Sequence, residues 1–322
     1  MIFALNASRH FGSAVAHECG LALAEHEERE FEDGEHKARP LVGVRDRDVY
    51  VIQSLHGDAT QSVNDKLIRL LFFIGALKQA AAGKVTAVVP YLCYARKDQQ
   101  TKPRDPVTTR HLACLMESAG TDHVLTIDVH NPVAYQNAFR CTTSLLDTRL
   151  LFARYFAELL KDDAIIVASP DVGGVKRADR FRQALSSIVG RELPLAFMEK
   201  HRSAGVVSGE TVVGDVEGKT LIILDDMIST GTTMARMGRA ARDRGATRIF
   251  AAATHGVFLK EANGTVGATS FDRTVVTDTV PPLRLEPEVV AKKLVVLSVA
   301  PLFARAIERL HGGGSLVELL EP

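Results

Sequence analysis

Leu221-Ile-Ile-Leu-Asp-Asp-Met-Ile-Ser-Thr-Gly-Thr-Thr233 joins four apolar residues to paired acids and then to a run of Ser, Thr and Gly. A helical pattern follows, with Met234, Met237 and Ala241 on one face and Gly245 as its stop. The stretch reads as a buried strand, a tight loop and a helix start. A loop entering a helix presents unpaired N–H groups at the positive end of the helix dipole, which makes it an anion site suited to phosphate. Ser229, Thr230, Thr232 and Thr233 add hydroxyls, and Gly231 lets the backbone close in. Asp225 and Asp226 would repel a phosphate they faced, so they suit sugar hydroxyls or a divalent cation. No Gly-Lys-Ser/Thr is present, so this is not a Walker A loop. The plain alternative is an ordinary strand-to-helix turn with an Asp cap.

Working outward, strands alternate with helices on both sides of this stretch. Strands are expected at Ile2–Leu5, Asp48–Ser54, Val85–Pro90, His123–Asp128, Ala164–Ala168, Leu195–Met198 and Leu294–Ala300. Helices are expected over 13–25, from Ser62 to Gly83, and over 108–119, 150–160, 176–185 and 301–311. Asp65 sits three residues after Ser62, the spacing of a capping box. Gln99–Pro106, polar with two prolines, reads as a loop. The alternation predicts an α/β fold of two similar lobes, each a parallel sheet flanked by helices, with the active site between them. The boundary falls near residue 147, giving lobes 1–147 and 148–289, with the segment near 290–311 crossing back to the first.

Composition narrows the function. With 322 residues, 46% of them apolar, the chain can bury a full core. Lys plus Arg and Asp plus Glu stand at 39 each, so no basic excess points to nucleic acid. Cys19, Cys93, Cys114 and Cys141 lack C-x-x-C spacing and suggest reduced thiols. Residues 1–20 show no signal-peptide pattern, and no apolar run approaches membrane-spanning length. The expectation is a cytoplasmic protein that binds neither nucleic acid nor membrane.

Five polar patches stand out: Phe31-Glu-Asp-Gly-Glu35, Tyr94-Ala-Arg-Lys-Asp98, Asp128-Val-His130, Ser169-Pro-Asp-Val-Gly-Gly174 followed by Lys176-Arg177, and Lys200-His-Arg202. Singly, most are ordinary turns or solvated loops. Jointly they matter, because all but the first follow an expected strand, and open α/β sheets bind ligands beyond the carboxyl ends of their strands.

The Asp225 loop resembles the PRPP loop of the type I phosphoribosyltransferase fold. The whole chain resembles the ribose-phosphate pyrophosphokinase (PRPP synthetase) family through these patches in order, together with Val63-Asn-Asp65, Pro90-Tyr91, Gly214-Asp-Val-Glu-Gly-Lys219 and Leu297-Ser-Val-Ala-Pro301. The resemblance implies transfer of the diphosphoryl group of ATP to O1 of ribose 5-phosphate, with Mg2+ as cofactor, in a homo-oligomer built from dimers. By the same resemblance Asp225, Asp226, Ser229, Thr230, Gly231, Thr232 and Thr233 bind ribose 5-phosphate. Asp171, Val172, Gly173 and Gly174 form the diphosphate loop. Phe31, Asp33 and Glu35, offered to a neighbouring subunit, bind ATP with Arg96, Lys97, Asp98 and His130. His130 and Asp171 hold the metal. Lys200 and Arg202, on a mobile loop, are catalytic. No residue stands out as a general base.

The chain also departs from the family pattern. Lys97 stands where Gln is common and adds charge near the phosphates. Gly43, Asn131–Phe139 and Leu316–Glu318 differ where the family builds a regulatory phosphate site, which implies activity without added phosphate. Two alternatives share the Asp225 loop: a phosphoribosyltransferase that consumes PRPP, and a non-catalytic regulatory relative. The first does not need Phe31–Glu35, Arg96 or Lys200-His-Arg202. The second is expected to lose the catalytic loop.

Overall fold

The computed structural model describes residues 1–203, 206–268 and 270–321, and for residues 200–203 and 206–210 the backbone only. The chain divides into two compact units, Met1–Asp147 with Val299–Leu320, and Thr148–Ser298.

In the first unit the elements run β1 (Ile2–Ala4), α1 (Arg9–Glu18), β2 (His26–Glu30), β3 (His36–Pro40), β4 (Asp48–Ile52), α2 (Val63–Gln79), β5 (Lys84–Val89), α3 (Thr108–Ser118), β6 (His123–Ile127), α4 (Pro132–Ala138) and β7 (Thr142–Leu146). β1, β4, β5, β6 and β7 form one parallel sheet in that order. Val49, Val51, Val85, Ala87, Val124 and Leu125 are buried, as strands covered on both faces require. α2 opens with the expected capping box, Ser62 and Asp65 bonding each other's backbone N–H, and packs Leu67, Leu70, Phe73, Ile74 and Leu77 inward.

α1 starts and stops earlier than its composition suggests. Gly12 allows it onto β1, where a Cβ would overlap the Ala4 methyl, and Gly20 at φ +66° follows its end. β2 and β3 form a separate antiparallel ribbon where only a turn was expected. Its strands, His-Glu-Glu-Arg-Glu and His-Lys-Ala-Arg-Pro, carry no apolar alternation to announce them.

The second unit runs α5 (Arg149–Leu159), β8 (Ile165–Ser169), α6 (Val175–Val189), β9 (Leu195–Ser203), β10 (Val206–Val213), β11 (Thr220–Ile228), α7 (Thr232–Asp243), β12 (Arg248–Gly256), α8 (Ala262–Val266), β13 (Arg273–Thr277), α9 (Pro287–Lys293) and β14 (Leu294–Leu297). Its seven strands lie in the order β10-β9-β8-β11-β12-β13-β14, all parallel except β10. The expected loop after Met198 is a continuation of β9, which the Val- and Thr-rich β10 pairs in antiparallel register. After β8 the chain steps first to β9 on one side and later to β11 on the other. The strand order therefore reverses between β8 and β11, and such a switch point opens a crevice at the strands' carboxyl ends.

The chain re-enters the first unit at Val299, where α10 (Ala300–Gly312) packs on α1 with Phe303 edge-on to Phe11, ring centroids 5.6 Å apart.

Candidate active site

In the second unit, β8 ends at buried Ser169, whose hydroxyl donates to the Asp171 carbonyl at 2.6 Å. The Gly174 N–H donates to Asp171 Oδ1 at 3.0 Å, closing the loop on itself. A Cβ at Gly174 would lie 2.6 Å from Ser169 Oγ, so this tight return needs glycine. Gly174 is the N-cap of α6 and offers no side-chain cap, which leaves first-turn N–H groups of a fifteen-residue helix for an anion.

Across the switch point, β11 runs through both acids instead of ending at Leu224. Asp226 is nearly buried and Asp225 a quarter exposed. Arg177, from the first turn of α6, places Nη1 3.0 Å from Asp225 Oδ1 and 3.3 Å from Asp226 Oδ1. Burial first, then the Asp226 charge beside it, pushes the Asp225 carboxyl up to about 7, while the Arg177 charge opposes the shift. Arg177 stands in one of the five patches read from sequence, but it was given no role there. Its signal was a basic residue in the first turn of the helix after a Gly-Gly loop.

The Ser229–Gly231 turn then delivers α7. Gly231 sits at φ +76°, and a Cβ there would lie 2.9 Å from Thr265 Oγ1. Thr265 Oγ1 donates to the Thr230 carbonyl, and the Leu259 N–H donates to the Ser229 carbonyl at 2.9 Å, so the turn is braced from behind. Thr230 and Thr232 hydroxyls bond each other at 2.9 Å, and Thr233 follows in the first turn of α7. α7 too lacks a side-chain N-cap.

In the first unit, Phe31, Asp33 and Glu35 occupy the tip of the β2–β3 ribbon. Phe31 is 41% exposed, and the Arg29 guanidinium lies over its ring at 5.4 Å. The ribbon is pinned to α2 by Glu30–Arg69 at 3.0 Å and by His36 stacked on Phe72 at 5.5 Å. Arg96, Lys97 and Asp98 follow β5, beyond Tyr94, which sits at the left-handed φ of 55°. Asp98 accepts from Asn131 Nδ2 at 2.7 Å, while Asn131 Oδ1 caps α4, so the segments carrying Asp98 and His130 are clasped together.

Lys97 is engaged inside its own loop: Nζ reaches Asp105 Oδ2 at 2.5 Å and Thr101 Oγ1 at 2.9 Å. Those bonds from Lys97, then Thr101, hold the Asp105 carboxyl down at about 2. Lys200 and Arg202 have their backbone in β9, facing Glu210 and Val207 of β10 in register; their side chains lie outside the described residues. The described residues hold no group of three or more His, Cys, Asp or Glu arranged to bind a metal, and no helix among them is long and apolar enough to cross a membrane.

Comparison with known proteins bears on this arrangement. The N-terminal domain of ribose phosphate pyrophosphokinase matches residues 1–120, and the phosphoribosyl synthetase-associated domain matches residues 198–321. Ribose-phosphate pyrophosphokinase of Caldanaerobacter subterraneus subsp. tengcongensis is 39% identical over 319 residues, covering 99% of this chain and 96% of that one. The Listeria ivanovii enzyme of the same name is 35% identical over 321 residues, with 99% and 96% covered. The crystal structure of phosphoribosylpyrophosphate synthetase from Mycobacterium smegmatis is similar with a TM-score of 0.87 at 34% identity, covering 98% of this chain and 99% of that one.

Proposed function

The chain belongs to the ribose-phosphate pyrophosphokinase family, and on that premise we propose that it transfers the diphosphoryl group of ATP to ribose 5-phosphate, giving PRPP and AMP. The observation that carries this reading is the pairing, at the β8/β11 switch point, of a glycine-rich anion loop with two carboxylates on one guanidinium. O1 of the sugar attacks the β-phosphorus, and the bond from that phosphorus to the bridging oxygen of the α-phosphate breaks. AMP leaves with that oxygen, and the O1 proton passes to solvent.

Such a transfer depends on positioning and on charge placed where it develops. The α7 N-terminus with Thr230, Gly231, Thr232 and Thr233 holds the 5-phosphate. Asp225 and Asp226 accept from the ribose hydroxyls. The Asp171–Gly174 loop cradles the diphosphate, Phe31 stacks on adenine, Asp33 and Glu35 take its ribose, and Arg96 with Asp98 and His130 serves the ATP side. Lys200 and Arg202 supply positive charge to the moving group. Mg2+ keeps few protein ligands and takes the rest from phosphates and water, so two protein donors suffice for a cation arriving with the nucleotide. His130 and Asp171 would hold it, and its charge would neutralise the phosphate oxygens. Four free thiols fit a reducing cytoplasm. The exposed Phe31 ring on a ribbon tip suits docking on a neighbouring subunit of a homo-oligomer.

The test is AMP release from ATP with and without ribose 5-phosphate. AMP that appears only with the sugar phosphate is expected. No sugar-dependent AMP, or consumption of PRPP with a nucleobase instead, would overturn the assignment.

A further inference from the structure

Arg177 stands where the two half-sites of the second sheet meet. Its backbone belongs to the first turn of α6, immediately after the Asp171–Gly174 loop, so any movement of that loop carries the arginine with it. Its guanidinium Nη1 reaches both carboxylates of β11, at 3.0 and 3.3 Å. The same nitrogen lies 3.9 Å from where a Cβ at Gly174 would be, close beside the loop backbone. Asp171 Oδ1 points to the same place, 3.8 Å from that position, but is occupied by the Gly174 N–H at 3.0 Å. Three acids and one guanidinium therefore share the crevice. Two adjacent, mostly desolvated carboxylates repel unless a cation lies between them, and a planar guanidinium can serve two acceptors in fixed directions.

We propose that Arg177 is a positioning residue that couples the diphosphate loop to the sugar acids, so that an occupied Asp171–Gly174 loop raises the affinity of Asp225 and Asp226 for the sugar phosphate. The inference rests on the reading of those loops given above. The physical link is short: an anion seated at the α6 N-terminus fixes the first helical turn, the turn fixes the arginine, and the arginine fixes both carboxylates. Both contacts are made by the one nitrogen, so a lysine would keep the charge near the two acids but carry it on a flexible stem, without the fixed plane of the guanidinium. A glutamine would keep part of the shape and lose the charge.

Calorimetry of ribose 5-phosphate binding, with and without a saturating α,β-methylene ATP analogue and Mg2+, measures the coupling directly. The wild-type protein should bind the sugar phosphate about 5-fold or more tightly when the analogue is present, the lower end of ordinary coupling between sites. In Arg177→Gln that ratio should fall to within about twofold, with weaker sugar phosphate binding and analogue affinity changed by less than about threefold. Arg177→Lys should recover part of the coupling, and it serves as the measurable variant if the glutamine protein fails to fold. A wild-type ratio near one, a ratio preserved in both variants, or equal loss of both ligands with no recovery by lysine would overturn the proposal. Sugar-dependent AMP release by the wild type is measured alongside. Its absence would sink the proposed reaction, while the binding arms still decide the role of Arg177.

Discussion

Asp225 and Asp226 present two carboxylates to one guanidinium, and Asp225 holds its proton to an unusually high pH for its type. A carboxyl whose folded pKa lies above its unfolded value binds more protons in the folded state, so its effect on stability turns unfavourable as pH rises through the window from about 4 to 7. Asp225→Asn removes that liability. Its melting temperature at pH 8 should rise by roughly 1–2 °C, the size of a 1 kcal/mol gain in a chain of 322 residues. Sugar phosphate binding should weaken in the same variant while ATP binding stays largely intact, by calorimetry with each ligand. Equal loss of both ligands would mean the acids support the fold or a shared metal. The β9 residues carry a separate prediction. Ala at Lys200 or Arg202 should lower kcat on the order of 10²-fold with little rise in KM, because charge used only as the group moves acts on the transition state. A KM effect with unchanged kcat would contradict that role.

The Ser229–Gly231 turn shows what an element adds to its residues. Gly231→Ala forces a Cβ into a left-handed position, which costs about 1–2 kcal/mol, and drives it against Thr265 Oγ1, the group that braces the Thr230 carbonyl. KM for ribose 5-phosphate should rise about tenfold or more, with KM for ATP within about twofold, in steady-state assays. Unchanged sugar kinetics would show that the turn tolerates the displacement. This turn was legible because its parts are local: apolar strand, Thr-Gly-Thr, amphipathic helix. Most parallel strands were legible too, since burial on both faces writes them as apolar runs, but β7, β12 and β13 were not among the strands expected. The β2–β3 ribbon carries no such run, because a charge pair and a ring stack hold it on α2. The contacts of Lys97 and Arg177 were also unreadable. Each depends on which acid the fold brings within 3.3 Å, at positions 105 for one and 225 and 226 for the other.

Across the whole molecule, buried charge sets how the protein answers acid. His123, buried in β6 with Nε2 2.9 Å from Ser144 Oγ, has its pKa pushed down to about 4, by burial first and then by the Lys84 charge. Between the ordinary value of 6.5 and about 4, the unfolded chain takes up a proton that the folded one refuses. This group's contribution to stability is therefore lost as pH falls through that window, by on the order of 1–3 kcal/mol. Melting curves at pH 7.5 and 4.5 should show a smaller drop for His123→Gln than for wild type, and the difference between the two proteins removes the opposing Asp225 effect. An equal drop in both would show that His123 is not what the acid acts on.

Regulation also belongs to this scale. Glu318 is paired with Arg309 at 2.5 Å, and Asn131–Phe139 is occupied in capping and forming α4. The groups at those positions thus serve the fold, and initial rates should be unchanged by inorganic phosphate added to a phosphate-free buffer. Strong activation would reveal a phosphate site built from other residues.

The order of the chain through the two units bears on biosynthesis. Thr148–Ser298 is continuous, whereas the unit begun by Met1–Asp147 resumes only at Val299. During translation the second unit can close its core as soon as it clears the ribosome, and domains tend to fold in this way, as units and in order of emergence. The first unit has no such freedom: the face of α1 that receives Phe303 stays open until α10 is made. α1 therefore waits for α10, and a ribosome that stalls anywhere in the second unit leaves an unfinished apolar seam for a chaperone to shield.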